Sequence, residues 1–194
     1  MNPLRKFRKG LLYAVLCVLA LAQLFPLIWV FDYSIQKSGD LFGPELFKVP
    51  ADPQWGNYLK AWVDGRVPQY LLNSLFVVTL STALATAFSF GLAYAVTRMQ
   101  WKARKVVAGI VSLGMVIPIH TTLLPNFIWF QNFHLIDSHW GLIIPYVAFT
   151  LSFATIVYMG QLASIPFAME ESALMDGASW PRTIAQIIFP MVAP

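Results

Sequence analysis

The sequence predicts an all-α protein, a polytopic bundle of membrane-spanning helices, on three observations. Its 194 residues are 58% hydrophobic and only 11% charged, against roughly 25% charged in ordinary soluble domains. The apolar residues gather in four runs long enough to cross a bilayer, and Lys and Arg gather on alternate connecting segments. A chain of this length could bury a core in water, but it has too few charged side chains to coat the outside of one. The net charge of +4 is modest, and its distribution speaks to membrane topology rather than to nucleic acid. Cys17 is the lone cysteine and sits in an apolar run, so no internal disulfide can form and the redox compartment is not specified.

The first run spans Leu11 to Phe31, with Gln23 as its strongly polar member. At about 1.5 Å per residue it can cross a hydrocarbon layer of roughly 30 Å. Arg5, Lys6, Arg8 and Lys9 precede it. That layout also fits a secretory signal, with Ala20-Leu21-Ala22 as a cleavage site, but the apolar run continues well past that point, which favours an uncleaved spanning helix. Pro26 is a candidate kink. Residues 1–10 are then a short N-terminal tail and 11–31 the first transmembrane helix.

Residues 32–69 contain Gly39, Gly43, Pro44, Pro50, Pro53, Gly56 and Gly65, so turns dominate, with a short helix around Trp55 to Val63. Trp55, Tyr58 and Trp62 suit either anchoring at the membrane interface or contact with a partner.

The second run, about 70–97, is rich in Ser74, Thr79, Ser81, Thr82, Ala83, Ala85, Thr86, Ala87, Ser89 and Gly91. In lipid, small residues let helices approach closely and hydroxyls can bond back to their own helix. Packing within a bundle and lining a pore both fit this composition. The third run, about 106–129, carries Pro118, His120, Thr121, Thr122, Pro125 and Asn126, and the fourth, about 140–161, carries Pro145 and Tyr146. Neighbouring groups can satisfy carbonyls freed by proline in a membrane, so neither run is excluded as a span.

Basic residues set the orientation. Four lie in the N-terminal tail, and Arg98, Lys102, Arg104 and Lys105 crowd the segment between the second and third runs. Residues 130–139 have no Lys or Arg, and Lys37, Lys48, Lys60 and Arg66 are outnumbered in 32–69 by Asp32, Asp40, Glu45, Asp52 and Asp64. The N-terminus and the 98–105 loop are therefore expected in the cytoplasm, with 32–69 and 130–139 outside. Four crossings return the segment 162–194 to the cytoplasm.

That last segment reads as a short exposed helix, a tight turn and an amphipathic helix. Pro166 suits an early helical position, and Glu170 and Glu171 fall near the positive end of the helix dipole. Met169, Ala173 and Leu174 make its apolar side. Gly177 suits a left-handed C-terminal cap, which limits the helix to two or three turns. Ser179 can cap a second helix that starts with Trp180 and Pro181, on which Ile184, Ile187, Ile188 and Met191 recur at helical spacing. A helix this short is not stable alone in water. It must be held at its ends, leaving it free to fit a groove on another protein or to lie at the interface.

The run Glu171-Ser172-Ala173-Leu174-Met175-Asp176-Gly177, followed after nine residues by Ile187-Ile188-Phe189-Pro190, resembles the signature loop of permease subunits in binding-protein-dependent ABC importers. The family pattern is Glu-Ala-Ala, three residues, Gly, nine residues, Ile-x-Leu-Pro. Here Ser172 stands for the second residue and Phe189 for Leu. Ser164-Ile165-Pro166, Asp176-Gly177-Ala178-Ser179, Ile136-Asp137, Gly141-Leu142-Ile143-Ile144-Pro145-Tyr146 and Asn73-Ser74-Leu75 are similar to the carbohydrate-importing, MalG-like branch. The resemblance covers nearly the whole chain.

The resemblance implies the ABC importer permease fold with four of its six transmembrane helices present, the chain stopping just after the motif as if C-terminally truncated. It implies that 166–178 is a coupling helix docking in a cleft of a cytoplasmic ATPase subunit, with Glu171 as the main polar contact, Ala173 as the close packing point and Gly177 as the turn. Ser172, Ile187 and Pro190 complete the motif, and Asp176 is either a second contact or a local cap. It implies a second permease subunit, an extracytoplasmic solute-binding protein, a sugar substrate moved by alternating access, and a place in the bacterial plasma (inner) membrane. A polyol, a glycerol phosphate or a non-transporting scaffold role are the alternatives to a sugar.

The chain has no G-x-x-x-x-G-K-[ST] phosphate loop, so no cofactor is expected in it, and ATP and Mg belong to the ATPase partner. His120 is an ionisable group in an apolar run; with Thr121, Thr122 and Asn126 it either lines a translocation path or bonds neutral to a neighbouring helix. His134, Asp137 and His139 are too few and too isolated for a metal site. Glu170 and Glu171 are adjacent, do not face each other on a helix, and make no acid/base pair. The Arg98 to Lys105 cluster is a topology signal first, with anionic lipid or the ATPase as further contacts.

Overall fold

The computed structural model describes residues 3–39 and 50–192, with side chains from residue 7 onward. Gly43 and Pro44, read as turn residues, lie outside the described residues, as do the side chains of Arg5 and Lys6. All the described regular structure is helical: α1 Pro3–Ser34, α2 Gly56–Val63, α3 Val67–Thr97, α4 Arg104–Gly114, α5 Leu123–Asn132, α6 Trp140–Ser164, α7 Ala168–Met175, α8 Trp180–Thr183 and α9 Phe189–Val192. A 3₁₀ turn, Ile119–Thr122, precedes α5, and a π turn, Ile184–Ile188, joins α8 to α9. Among the described residues, Phe7–Ser34, α3 and α6 are each long and apolar enough to cross a membrane.

The chain divides into two compact units, Met1–Tyr70 and Leu71–Pro194. In the first, α1 is longer than the 11–31 span expected and takes in the segment read as a tail, because nothing in residues 3–10 breaks a helix. At its far end Gln36 Nε2 donates to buried Asp32 Oδ2 at 2.9 Å. Asn57 Nδ2 donates to the carbonyls of Ser34 and Gln36, both at 3.0 Å, and the hydroxyls of Ser34 and Tyr58 meet at 2.7 Å. These bonds use the orphan carbonyls of the α1 terminus to hold the short helix α2, which carries the expected Trp–Tyr surface: Trp55 and Tyr58 stack with ring centroids 6.4 Å apart.

In the second unit, α3 buries Val77, Ser81, Ala85, Ser89 and Ala93, an i, i+4 row of mostly small residues that lets α6 come close. Ser89 Oγ donates to the Leu151 carbonyl at 3.3 Å, and Thr155 Oγ1 to the same carbonyl at 2.6 Å. Gly114 at the end of α4 sits so near α6 that a Cβ there would lie 2.2 Å from Ser152 Oγ.

The third apolar run is not one straight helix. Its two halves, Arg104–Gly114 and Ile119–Asn132, are bent by 93°, and they make a fourth span if counted together. Pro118 is extended, with ψ at 130°. It lacks an N–H for the preceding turn and its ring disfavours helix at Ile117, so α4 cannot run on into α5.

The core lies where the C-terminal halves of α3 and α6 meet the last helical segment. Phe90, Ala93, Tyr94, Leu162, Ile165, Ile188 and Val192 are buried together, with Tyr158, Ile184, Ile187 and Phe189 packed around them. Phe90 is its centre, meeting Tyr158 and Phe189 edge-on at 5.7 and 5.0 Å.

Candidate functional site

Helix α7 is held by the molecule from one side and exposed on the other. Glu170 is 0% exposed and Ala173 is buried, whereas Glu171, Ser172, Asp176 and Gly177 are exposed and Met175 is 88% exposed. The i, i+3 spacing of Glu170 and Ala173 puts both on the inner stripe, while Glu171 and Met175, at i, i+4, share the outer one. Ala173 therefore packs within this chain.

Glu170 lies one residue before the motif, and no pattern in the sequence assigns it a partner. In the structure it is the anchor of α7. Tyr94 Oη donates to Glu170 Oε2 at 2.8 Å, and Arg98 Nε lies 3.2 Å from Glu170 Oε1. The Nε–H is not well aligned with that oxygen, so the second contact is ionic rather than a directed hydrogen bond. Arg98 Nη2 also donates to the carbonyls of Leu162 and Ile165, both at 2.6 Å. These carbonyls lie at the C-terminus of α6, where backbone acceptors lack helical partners and a cation opposes the negative dipole end. The guanidinium is 5.8 Å from the Phe167 ring centroid and its side chain is 11% exposed. Arg98 is thus a buried tie between α3, α6 and α7, not a free member of the basic loop cluster.

Gly177 has φ +85°, the left-handed conformation expected of a helix-ending glycine. The Ala178 N–H bonds to the Ala173 carbonyl at 3.0 Å and the Gly177 N–H to the Leu174 carbonyl at 3.1 Å, the paired bonds of a Schellman cap. Ser172 Oγ turns back to the Ala168 carbonyl at 2.8 Å. Ser179 holds the N-cap backbone position of α8, but its side chain makes no capping bond.

Past the turn, Ile188 is fully buried, Ile187 half-buried and Pro190 exposed. The expected regular amphipathic helix is interrupted by the π turn, in which the Phe189 N–H bonds back to the Ile184 carbonyl. Pro190 next to it has no N–H and its ring crowds the carbonyl four residues earlier, and the wider turn relieves that crowding.

The four residues proposed from sequence for a translocation path sit at the break between α4 and α5. Thr121 Oγ1 donates to the Pro118 carbonyl and Thr122 Oγ1 to the Ile119 carbonyl, each at 2.7 Å, and Asn126 Nδ2 donates to Thr122 Oγ1 at 3.4 Å. His120 is exposed beside them. Three of the four are thus engaged in stitching the bend. A separate cavity of about 230 Å³ lies between α3 and α6, its lining a mixture of small apolar residues such as Ala85 and Ala154 with hydroxyl-bearing ones such as Ser81, Thr86, Tyr146 and Thr150. Buried Ser81 Oγ has no hydrogen-bond partner among the described residues. The hydroxyl residues of α3 are visible in the sequence, but their sharing one cavity with Tyr146, Thr150 and Tyr158 depends on the helix register.

Comparison with known proteins places this geometry. Residues 85–194 match the family described as binding-protein-dependent transport system inner membrane component. The chain is 30% identical over 182 residues to the diacetylchitobiose uptake system permease protein NgcG of Streptomyces coelicolor, covering 94% of this chain and 60% of that one. It is 29% identical over 188 residues to the trehalose/maltose transport system permease protein MalG of Thermococcus litoralis, covering 95% and 64%. The fold resembles a chain in the crystal structure of a bacterial ABC transporter involved in the import of the acidic polysaccharide alginate. The TM-score is 0.76 at 22% identity, over 98% of this chain and 67% of that one. The chain spans about two thirds or less of the length of these curated relatives.

Proposed function

The chain belongs to the family of inner-membrane components of binding-protein-dependent transport systems, and on that footing we propose that it is a permease subunit of an ATP-driven importer for a sugar or oligosaccharide. It is a multi-pass inner-membrane protein, with apolar spans in α1, α3 and α6. The observation that carries the reading is the two-sided burial of α7: Glu170 and Ala173 are fixed inward while Glu171 and Met175 face outward. A two-turn helix cannot hold itself in water. Anchored this way, it presents a preformed surface, with the Glu171 carboxylate and the flexible Met175 side chain on its outer stripe, to a groove.

In this reading the groove is on a cytoplasmic ATPase subunit. The exposed stripe of α7 follows the closing of the ATPase dimer, and the membrane helices alternate the exposure of a central path. Substrate arrives from an extracytoplasmic binding protein, and a second permease subunit completes the path. The cytoplasmic side is supported by Arg98, which joins the end of α3 to α7 and so puts the basic 98–105 loop and the acidic helix on one side of the membrane. A sugar is favoured by relatives named for uptake of diacetylchitobiose and of trehalose or maltose.

The test is ATP hydrolysis by the reconstituted full assembly with its binding protein across a panel of maltose, trehalose, diacetylchitobiose, glycerol and glycerol 3-phosphate. Stimulation by one or more of the sugars alone is expected. Stimulation by glycerol or its phosphate alone would move the assignment to that solute class.

A further inference from the structure

We propose that Arg98, Tyr94 and Glu170 form a rigid transmission joint, through which α7 moves as one body with the cytoplasmic ends of α3 and α6. The inference rests on the coupling role proposed above and deepens it by naming the residues that pass the motion on. Three independent contacts converge on one point. Glu170 on α7 is fully buried and receives the Tyr94 hydroxyl from α3. Arg98, also from the end of α3, faces the other Glu170 oxygen. The same guanidinium closes the α6 C-terminus by bonding to both Leu162 and Ile165 carbonyls.

The arrangement is stiff for physical reasons. A planar guanidinium with donors in fixed directions cannot rotate away from two carbonyls and a carboxylate without abandoning all three. Removing one partner leaves a buried charge unpaired, so partial opening is strongly disfavoured. The link between α6 and α7 runs only from Ile165 to Phe167 and includes Pro166, so the backbone offers little slack. A push on Glu171 and Met175 is therefore passed to α3 and α6, the two helices beside the cavity lined by Ser81, Thr86 and Tyr146. Tyr94, Arg98 and Glu170 are positioning residues in this scheme: none needs to touch solute or nucleotide.

The test uses the full assembly in nanodiscs with spin labels at Met175→Cys and Lys102→Cys in a Cys17→Ser background. The distance between labels is measured by pulsed electron resonance without nucleotide and with trapped ATP. The joint predicts that this distance changes by less than about 2 Å, the size of an ordinary helix shift. It also predicts that Glu170→Ala broadens the distance distribution and lowers uptake per ATP hydrolysed about tenfold, while hydrolysis itself persists. A larger ATP-driven change in the otherwise unaltered protein would overturn it, and that arm needs no joint variant to fold. So would a folded Glu170→Ala protein with unaltered uptake per ATP. If the assembly's ATPase never associates with this chain, the coupling reading itself fails, and the joint with it.

Discussion

Arg98 Nε and Glu170 Oε1 lie 3.2 Å apart, with Glu170 fully buried and Arg98 nearly so. The pair connects the end of the second apolar run to the short acidic helix that follows the fourth. Breaking a buried pair from one side costs about 3–5 kcal/mol, because the partner charge is left in a dry site. Arg98→Ala is therefore expected to be among the most destabilising single changes in the second unit, since it also releases two α6 carbonyls. Glu170→Gln keeps the shape and can still accept from Tyr94, and it should cost less. Thermal unfolding of the purified protein in detergent, followed by loss of helical circular dichroism, ranks the two. The reverse order would mean that the α6 cap contributes little.

Gly177 at φ +85° has open space where a Cβ would stand. The penalty for a side chain there is conformational, about 1–2 kcal/mol for an L-residue in the left-handed region. Gly177→Val should leave membrane insertion intact and misdirect α7, so that ATP hydrolysis continues while uptake falls. Gly177→Asn, which tolerates that region better, should be milder. Uptake and hydrolysis measured on the same preparation check the split.

Gly114 on α4 lies close against Ser152 on α6, where a Cβ would meet Ser152 Oγ at 2.2 Å and its Cβ at 3.2 Å. Gly114→Val overpacks this contact and is expected to destabilise by about 1–3 kcal/mol. Gly114→Ala should cost less, because the Ser152 hydroxyl can rotate away and only the 3.2 Å contact with its Cβ then requires a small shift of the helices. Adding Ser152→Gly to Gly114→Val should recover part of the loss. A double-mutant cycle on thermal stability reads this directly, and additive effects would show that the two helices do not meet there.

Phe189 stands where Leu is usual in the signature pattern, and the structure supplies a reason: its ring meets Phe90 edge-on at 5.0 Å. Aromatic pairs in this geometry contribute about 0.5–1.5 kcal/mol beyond their burial. Phe189→Leu should therefore lower stability by about that amount in the native background. It should have a smaller effect once Phe90 is already Leu, as a thermal-stability cycle would show.

Much of this architecture was legible from elementary patterns. Long uncharged runs forced helices at α1, α3 and α6, and a glycine after a short apolar-acidic stretch specified the left-handed cap at Gly177. What escaped depended on three-dimensional register. Glu170 and Glu171 are indistinguishable by type, and only the rotation of α7 relative to α3 decides which is buried. Arg98 sat in a basic cluster whose topological signal was sufficient explanation by itself. Its inward turn depends on the end of α6 coming alongside, a contact with no local trace in the sequence. The 93° break was signalled by Pro118, but proline in a membrane run is compatible with either a kink or a full break. The extended backbone at Pro118 makes it a full break here.

On the proposed function, α7 offers Glu171 and Met175 to an ATPase subunit while Ala173 stays within this chain. A photo-crosslinking amino acid placed singly at Met175 and at Ala173, in membranes containing the co-expressed ATPase, tests it directly. The account predicts an ATPase adduct from Met175 and only intrachain products from Ala173. No ATPase adduct from Met175, or equal adducts from both positions, would contradict it.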